Sequence, residues 1–397
     1  MKIKRKVFRC LGFIFALSLC FSSVSCKKEL DNNGSELHTT NVKKYGIAEY
    51  GNYVYCEWGK IYRFNRATKE LLTACMDAEC DGDCPVDCVM SYFAGIDNQK
   101  LFFCGWQQFT HNVFLAYQDI VTGEVKVLKT LSEIEDSGGY ITFVDNGWWY
   151  YKCKILKDGG DATNPKDYDS YICRISTDGT KDEQVIQCEN AEALEMVGDQ
   201  KIITSLSGKI YSVDANSKER LEIFDYNQYG YINSATHFSF LDGKLYFLAR
   251  SGVTETSEYI QQKFQLSFLI SIDINTGYVC KILENPIANF CLTEDGIYYS
   301  PFKLRHLYLP ENPEENQDQI TVCLFDESLY VCDLNGENIR KVYTNDQLDY
   351  TEKFTVIDNT LYGWMFDYND ITHTFDKTFF GAIEFDTGRI IRTKKPE

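Results

Sequence analysis

The sequence predicts an all-β chain folded as a β-propeller of seven four-stranded blades, with six or eight blades as the alternatives, and three observations carry this expectation. One strand-turn-strand pattern recurs along most of the 397 residues. Its turns are rich in Asp, Asn and Gly, the residues that join antiparallel strands, and its strands alternate Tyr, Phe, Ile and Val with polar residues. Helical periodicity is almost absent, and the chain holds only seven prolines.

In chain order, residues 1–25 come first. A basic run (Lys2, Lys4, Arg5, Lys6, Arg9) precedes an apolar run from Leu11 to Phe21 and a stretch of small residues, the pattern of an export signal. The apolar run is too short for an ordinary spanning helix. Ser23-Val24-Ser25-Cys26 resembles the lipobox of bacterial lipoproteins. The resemblance implies cleavage before Cys26 and a diacylglycerol on its thiol, because two acyl chains hold a protein at a membrane where one does so only marginally. Cys20 fits less well, since Leu19 is larger than the small residue that family accepts before its cysteine. Residues 26–42 then read as the lipidated cysteine and a polar tether, residues 43–392 as the propeller and 393–397 as a polar tail.

Loss of residues 1–25 removes five basic residues and no acid, which moves the formal charge from −18 to −23. Such a chain is a poor partner for nucleic acid, whose binding depends on Lys and Arg neutralising phosphate. The expected location is the extracellular face of the cell membrane, reached through the lipid anchor.

The repeats justify the blades one by one. Their first half reads GNYVYC at Gly51, DNQKLFF at Asp97, DNGWWYY at Asp145, GDQKIIT at Gly198, DGKLYF at Asp242, DGIYYS at Asp295 and DNTLYGW at Asp358. The second half follows as IYRFNRATKE, LAYQDIVTGE, YICRISTDGT, IYSVDANSKE, LISIDINTGY, LYVCDLNGEN and AIEFDTGR. Radial closure of such units removes the exposed sheet edges that a string of them would otherwise carry. With the lipobox, the tether and a cysteine cluster closing the first repeat, this pattern resembles the lipid-anchored propeller proteins of Gram-positive bacteria. These are grouped as a propeller domain of unknown function, similar to the repeat domain of low-density-lipoprotein-receptor-related proteins. The resemblance spans nearly the whole chain after the signal and implies fold and location, with no agreed activity. Members often carry a His within the cysteine cluster, and this chain has none there.

With strands named a to d from the axis outward, the b–c and d–a connections share one face and the a–b and c–d connections the other. Long b–c connections are expected in blade 2 (Gly105 to Asn112), blade 3 (Lys154 to Ser170), blade 5 (Arg250 to Lys263), blade 6 (Pro301 to Gln319) and blade 7 (Asp367 to Lys377). Blades 1 and 4 have tight ones. One face is therefore elaborated, and loops on a rigid scaffold are where binding sites gather.

The connection from blade 1 to blade 2, on that same face, holds Cys75, Cys80, Cys84 and Cys88 among five acids, Asp77, Glu79, Asp81, Asp83 and Asp87. Its C-x4-C-x3-C-x3-C spacing differs from the CxxC pairs of common zinc folds. Two disulfides stapling the loop, thiols left wholly or partly unpaired, and a metal site all remain open; the acids would repel thiolates but suit a hard cation. Cys56, Cys104, Cys153, Cys173 and Cys332 fall in repeat strands, where cysteine acts as a small hydrophobe. Trp106, His111, His306 and His373 fall at or in b–c insertions and are the other ligand-facing candidates, the three histidines also as a metal set. Trp148, Trp149 and Trp364 sit at repeat positions and read as blade core, while Trp58 joins the aromatic platforms. No His-Glu-x-x-His, Gly-x-Ser-x-Gly or P-loop pattern occurs, so no catalytic residue and no cofactor is assigned. The expected function is a binding or scaffold module for an extracellular glycan, peptide or envelope protein. The alternative is a carbohydrate hydrolase or lyase acting on the elaborated face.

Overall fold

Two successive residues with positive φ close the a–b hairpin in five blades, at Asn98-Gln99, Asn146-Gly147, Asp199-Gln200, Asp242-Gly243 and Asp358-Asn359. These are type I′ turns, whose twist matches that of the flanking strands. In three of them a non-glycine residue takes the second left-handed position, a conformation Asn tolerates better than Gln.

The computed structural model describes residues 43–44, 46–76, 84, 86, 90–107, 112–131, 142–161, 163–325, 328–344, 348–369 and 374–393. These form a seven-bladed β-propeller, each blade an antiparallel meander of four strands. Blade 1 comprises Ile47–Tyr50, Tyr53–Trp58, Lys60–Asn65 and Leu71–Thr73, and blade 2 comprises Met90–Asp97, Lys100–Gln107, Asn112–Asp119 and Val125–Leu131. Blade 3 is Phe143–Asp145, Trp148–Leu156, Tyr168–Ser176 and Asp182–Cys188; blade 4 is Ala193–Gly198, Lys201–Leu206, Lys209–Asp214 and Arg220–Asp225. Blade 5 is Tyr231–Leu241, Lys244–Thr256, Lys263–Asp273 and Val279–Lys281. Blade 6 is Ile287–Leu292, Ile297–Tyr308, Ser328–Cys332 and Arg340–Thr344; blade 7 is Leu348–Ile357, Thr360–Asn369, Thr374–Glu384 and Arg389–Arg392.

The inner strands touch in sequence around the axis, and that of blade 7 returns to that of blade 1. Among the described residues no strand is shared between the first and last blades, and side chains pack across the seam. Phe64, Tyr62 and Val54 of blade 1 pack with Trp364, Phe380 and Tyr362 of blade 7 in one buried cluster. Arg66 in the c–d turn of blade 1 meets Asp358 of blade 7 at 3.1 Å. Similar clusters lie between blades 2 and 3, through blades 3 to 5, and between blades 5 and 6 and blades 6 and 7. Burial of these alternating apolar residues against the neighbouring blade is the main stabilising term of such a ring.

The c–d turns explain the second half of the repeat. Asn65, Asp119, Asp214 and Asp273 each end a c strand, Asp333 directly follows one, and all accept backbone N–H groups two to four residues on. These side chains satisfy donors that the turn would otherwise leave unpaired.

The b–c connections differ from expectation, because much of each insertion is strand. In blade 5 the b strand runs thirteen residues and the c strand eleven, against six for each in blade 4. In blade 6 the b strand extends to Tyr308 and pairs beyond the blade body with a separate strand, Thr321–Phe325. In blade 7 pairing continues to Asn369 opposite Thr374, and in blade 3 to Leu156 opposite Tyr168. Backbone pairing continues past the packed body because the N–H and C=O groups of two antiparallel chains still satisfy each other there.

One further strand was not expected from the sequence. Lys43–Lys44 adds a fifth strand to blade 5, antiparallel to its inner strand, with Lys43 opposite Phe240 and Lys44 opposite Ser239. Gly46, at φ +76°, then leads into the inner strand of blade 1.

Candidate functional site

Because strands alternate in direction, every b–c hairpin and every d–a connection emerges at the same end of the ring, which becomes the candidate site. In blade 3 the extension ends in a cap tied by its own polar groups. Asp161 accepts the Thr163 N–H at 2.9 Å, Asp167 accepts the Asp161 N–H at 3.0 Å, and Lys157 donates to the Lys166 carbonyl at 2.9 Å. A 3-10 turn at Pro165–Asp167 is capped by Asn164. An ordered cap of this kind presents fixed groups to a ligand.

Of the residues predicted from sequence, Cys26, Cys80, Cys88, His111 and His373 lie outside the described residues. Trp106 lies within the b strand of blade 2, its backbone opposite Met90 and Val113, so the strand runs further than the predicted insertion boundary. His306 likewise stands in the extended b strand of blade 6, opposite Val322. Cys75 and Cys84 are brought together, with their sulfurs 3.5 Å apart. Among the described residues no group of three or more His, Cys, Asp or Glu gathers as a metal site.

Trp149 and Trp364 are fully buried, as their repeat positions imply, whereas Trp58 is 39% exposed. Trp58 ends the b strand of blade 1 at the tight turn through Gly59, and its ring lies 5.2 Å from that of Trp364. An indole supported from behind and open in front can stack on a sugar or an apolar side chain at little entropic cost. Beside it, the buried Glu57 accepts the Phe93 N–H of blade 2 at 2.9 Å. That bond ties together the two blades that the cysteine-rich connection joins.

Two polar clusters on blades 2 to 4 were not anticipated. In the first, Lys129 of blade 2 donates to the Tyr151 hydroxyl at 2.8 Å and to Asp182 at 2.5 Å, and Tyr151 donates to Asp182 at 3.0 Å. Next along the same b strand is Cys153, whose sulfur lies 3.0 Å from that of Cys173. The contact with Cys173 holds the Cys153 thiol below its ordinary pKa against the effect of burial, with Lys129 adding to the lowering. The same contact, then burial, pushes Cys173 up, and burial pushes Tyr151 up. In the second, the buried Glu192 accepts from Thr204 at 2.6 Å and pairs with Arg220 at 3.1 Å. Lys152 donates to the Glu192 carbonyl at 2.6 Å, which pins the connection from blade 3 to blade 4.

No protein-family model and no curated protein sequence matches the chain. Among solved structures, a prolyl endopeptidase is 12% identical with a TM-score of 0.52, over 89% of this chain and 49% of that one. The β-propeller domain of the Trilobed protease from Pyrococcus furiosus, described as having an open velcro topology, is 11% identical at a TM-score of 0.46, over 77% and 84%. An oligogalacturonate lyase in complex with manganese is 12% identical at 0.47, over 83% and 94%. The chain spans about half the length of the peptidases it matches. At these identities the likeness concerns the propeller fold alone.

Proposed function

We propose that this chain is a lipid-anchored surface protein whose propeller is a binding or scaffold module, with the elaborated face capturing an extracellular glycan, peptide or envelope protein. The observation that supports this most is the asymmetry of the ring. Hairpins run beyond the blade bodies on one face, while the other carries short turns closed by their own side chains. Trp58 and the tied cap of blade 3 give that face one aromatic platform and one fixed polar surface.

The test replaces residues 158–166 of blade 3 and 304–322 of blade 6 with short Gly-Ser turns and measures binding by calorimetry to soluble polysaccharides and peptidoglycan fragments. The wild type should bind a member of that panel and the truncated chain should lose it while keeping its unfolding midpoint; equal affinity in both would sink the reading. Turnover of a polysaccharide, lost on substitution of a carboxylate on this face, would replace binding with the carbohydrate-active alternative. The anchor is tested separately: Cys26→Ser should move the protein from the membrane fraction to the soluble one.

A further inference from the structure

Cys153 and Cys173 lie in neighbouring strands of blade 3 and face the same side, because Cys153 stands opposite Tyr171 and Tyr151 opposite Cys173. The offset places the two side chains diagonally, and their sulfurs reach 3.0 Å. That is about 1 Å longer than a disulfide bond. Cys332 behaves as the strand-core cysteine the sequence predicts, with its sulfur 3.8 Å from the Ile297 carbonyl and its thiol raised by burial to about 11. The blade 3 pair differs in having a second sulfur and a lysine within its surroundings.

We propose that Cys153 and Cys173 form a thiol–disulfide exchange site that reacts with low-molecular-weight disulfides. Cys153 is only half-buried and Cys173 is buried, which assigns the order of events. The Cys153 thiolate attacks one sulfur of the small disulfide and expels the other as a thiolate, which takes up the proton Cys153 has lost. Cys173 then gives up its proton, attacks the Cys153 sulfur and displaces the second small thiolate, which takes up that proton. Two protein S–H bonds and one small disulfide are consumed; one protein disulfide and two small thiols are formed. The Lys129 ammonium favours both anionic stages and is itself held by Tyr151 and Asp182. Thiolate character governs the rate of such exchange. The new bond would join the b and c strands at the root of the blade 3 extension.

The experiment uses the full chain, reduced and then exposed to oxidised glutathione, followed by trapping with N-ethylmaleimide, proteolysis and mass spectrometry. The wild type should yield a Cys153–Cys173 linked peptide lighter by two hydrogens. Cys173→Ser should stop at a glutathione adduct on Cys153, and Cys153→Ser should leave Cys173 reacting about tenfold more slowly than Cys153 does in the other variant, or not at all. Recovery of both cysteines as maleimide adducts after the exposure would overturn the proposal, as would a bridge from either to Cys104 or Cys188. Should a variant fail to fold, the linked peptide in the wild type still decides between these outcomes.

Discussion

Blades 4 and 5 follow one four-strand plan and part company at the b–c end. In blade 4 the b and c strands have six residues each and join through Ser207-Gly208, both at positive φ. In blade 5 they have thirteen and eleven, so the hairpin stands about 20 Å beyond the body at 3.3 Å per residue. The sequences show why. Up to Leu206 and Arg250 every second residue meets a neighbouring blade; beyond Arg250, SGVTETSEYIQQ has no apolar face, and Val253 is 62% exposed. The body length is therefore set by the neighbours it packs against, whereas the extension is limited only by backbone pairing and is open to variation.

That contrast can be broken most forcefully in a body. Trp149→Ala removes a fully buried indole packed edge-on against Phe102 at 5.5 Å, and should cost about 3–5 kcal/mol in urea unfolding. Gly336→Ala should come next. The residue sits at φ +83°, and a Cβ there would lie 2.0 Å from the Ile282 carbonyl of blade 5, so a loss of about 1–3 kcal/mol is expected in the same measurement. Replacing residues 251–262 of blade 5 with the Ser-Gly turn of blade 4 should move the thermal midpoint by no more than about 2 °C. A collapse there would mean that the extension helps hold the body and would erase the distinction.

The smallest effect concerns what the two blades share, the capped c–d turns. Lys201, then the Ser217 and Asn216 N–H groups, hold the Asp214 carboxyl below the usual range, and the Thr276 N–H does so first for Asp273. Asp178 in blade 3 is lowered to about 2, chiefly by the Ser176 hydroxyl. A carboxylate whose pKa is depressed on folding contributes stability above the ordinary carboxylate range, and that contribution is lost as pH falls through it to the folded value. Asp214→Asn keeps an acceptor and removes the charge. It should lower the midpoint slightly at neutral pH and make the decline between about pH 4 and pH 2 shallower, so that variant and wild type converge in acid, as read from thermal unfolding against pH.

Body and extension also differed in how legible they were. The b and c strands could be placed because each carries an apolar alternation and a turn signal, and in blades 2, 4 and 5 an Asp ends the c strand. The extensions read as loops because their pairing rests on backbone groups, which no side chain announces. The Lys43–Lys44 strand was hidden for the same reason. Trp149 and Trp364 were recognisable as core from their place in the repeat, but the exposure of Trp58 depends on its position relative to blade 7, which no local pattern reports. The Cys75–Cys88 cluster was conspicuous because its thiols are close along the chain. Cys153 and Cys173 are twenty residues apart, and only the strand register brings them together.

The short pairing of Lys43–Lys44 with Phe240 and Ser239 also has a mechanical meaning. Tension arriving along the chain from its amino-terminal side meets blade 5 before it meets blade 1. A chain held from that end would thus pull on the far wall of the ring first, and the side-chain seam between blades 1 and 7 would bear strain only after that latch had slipped.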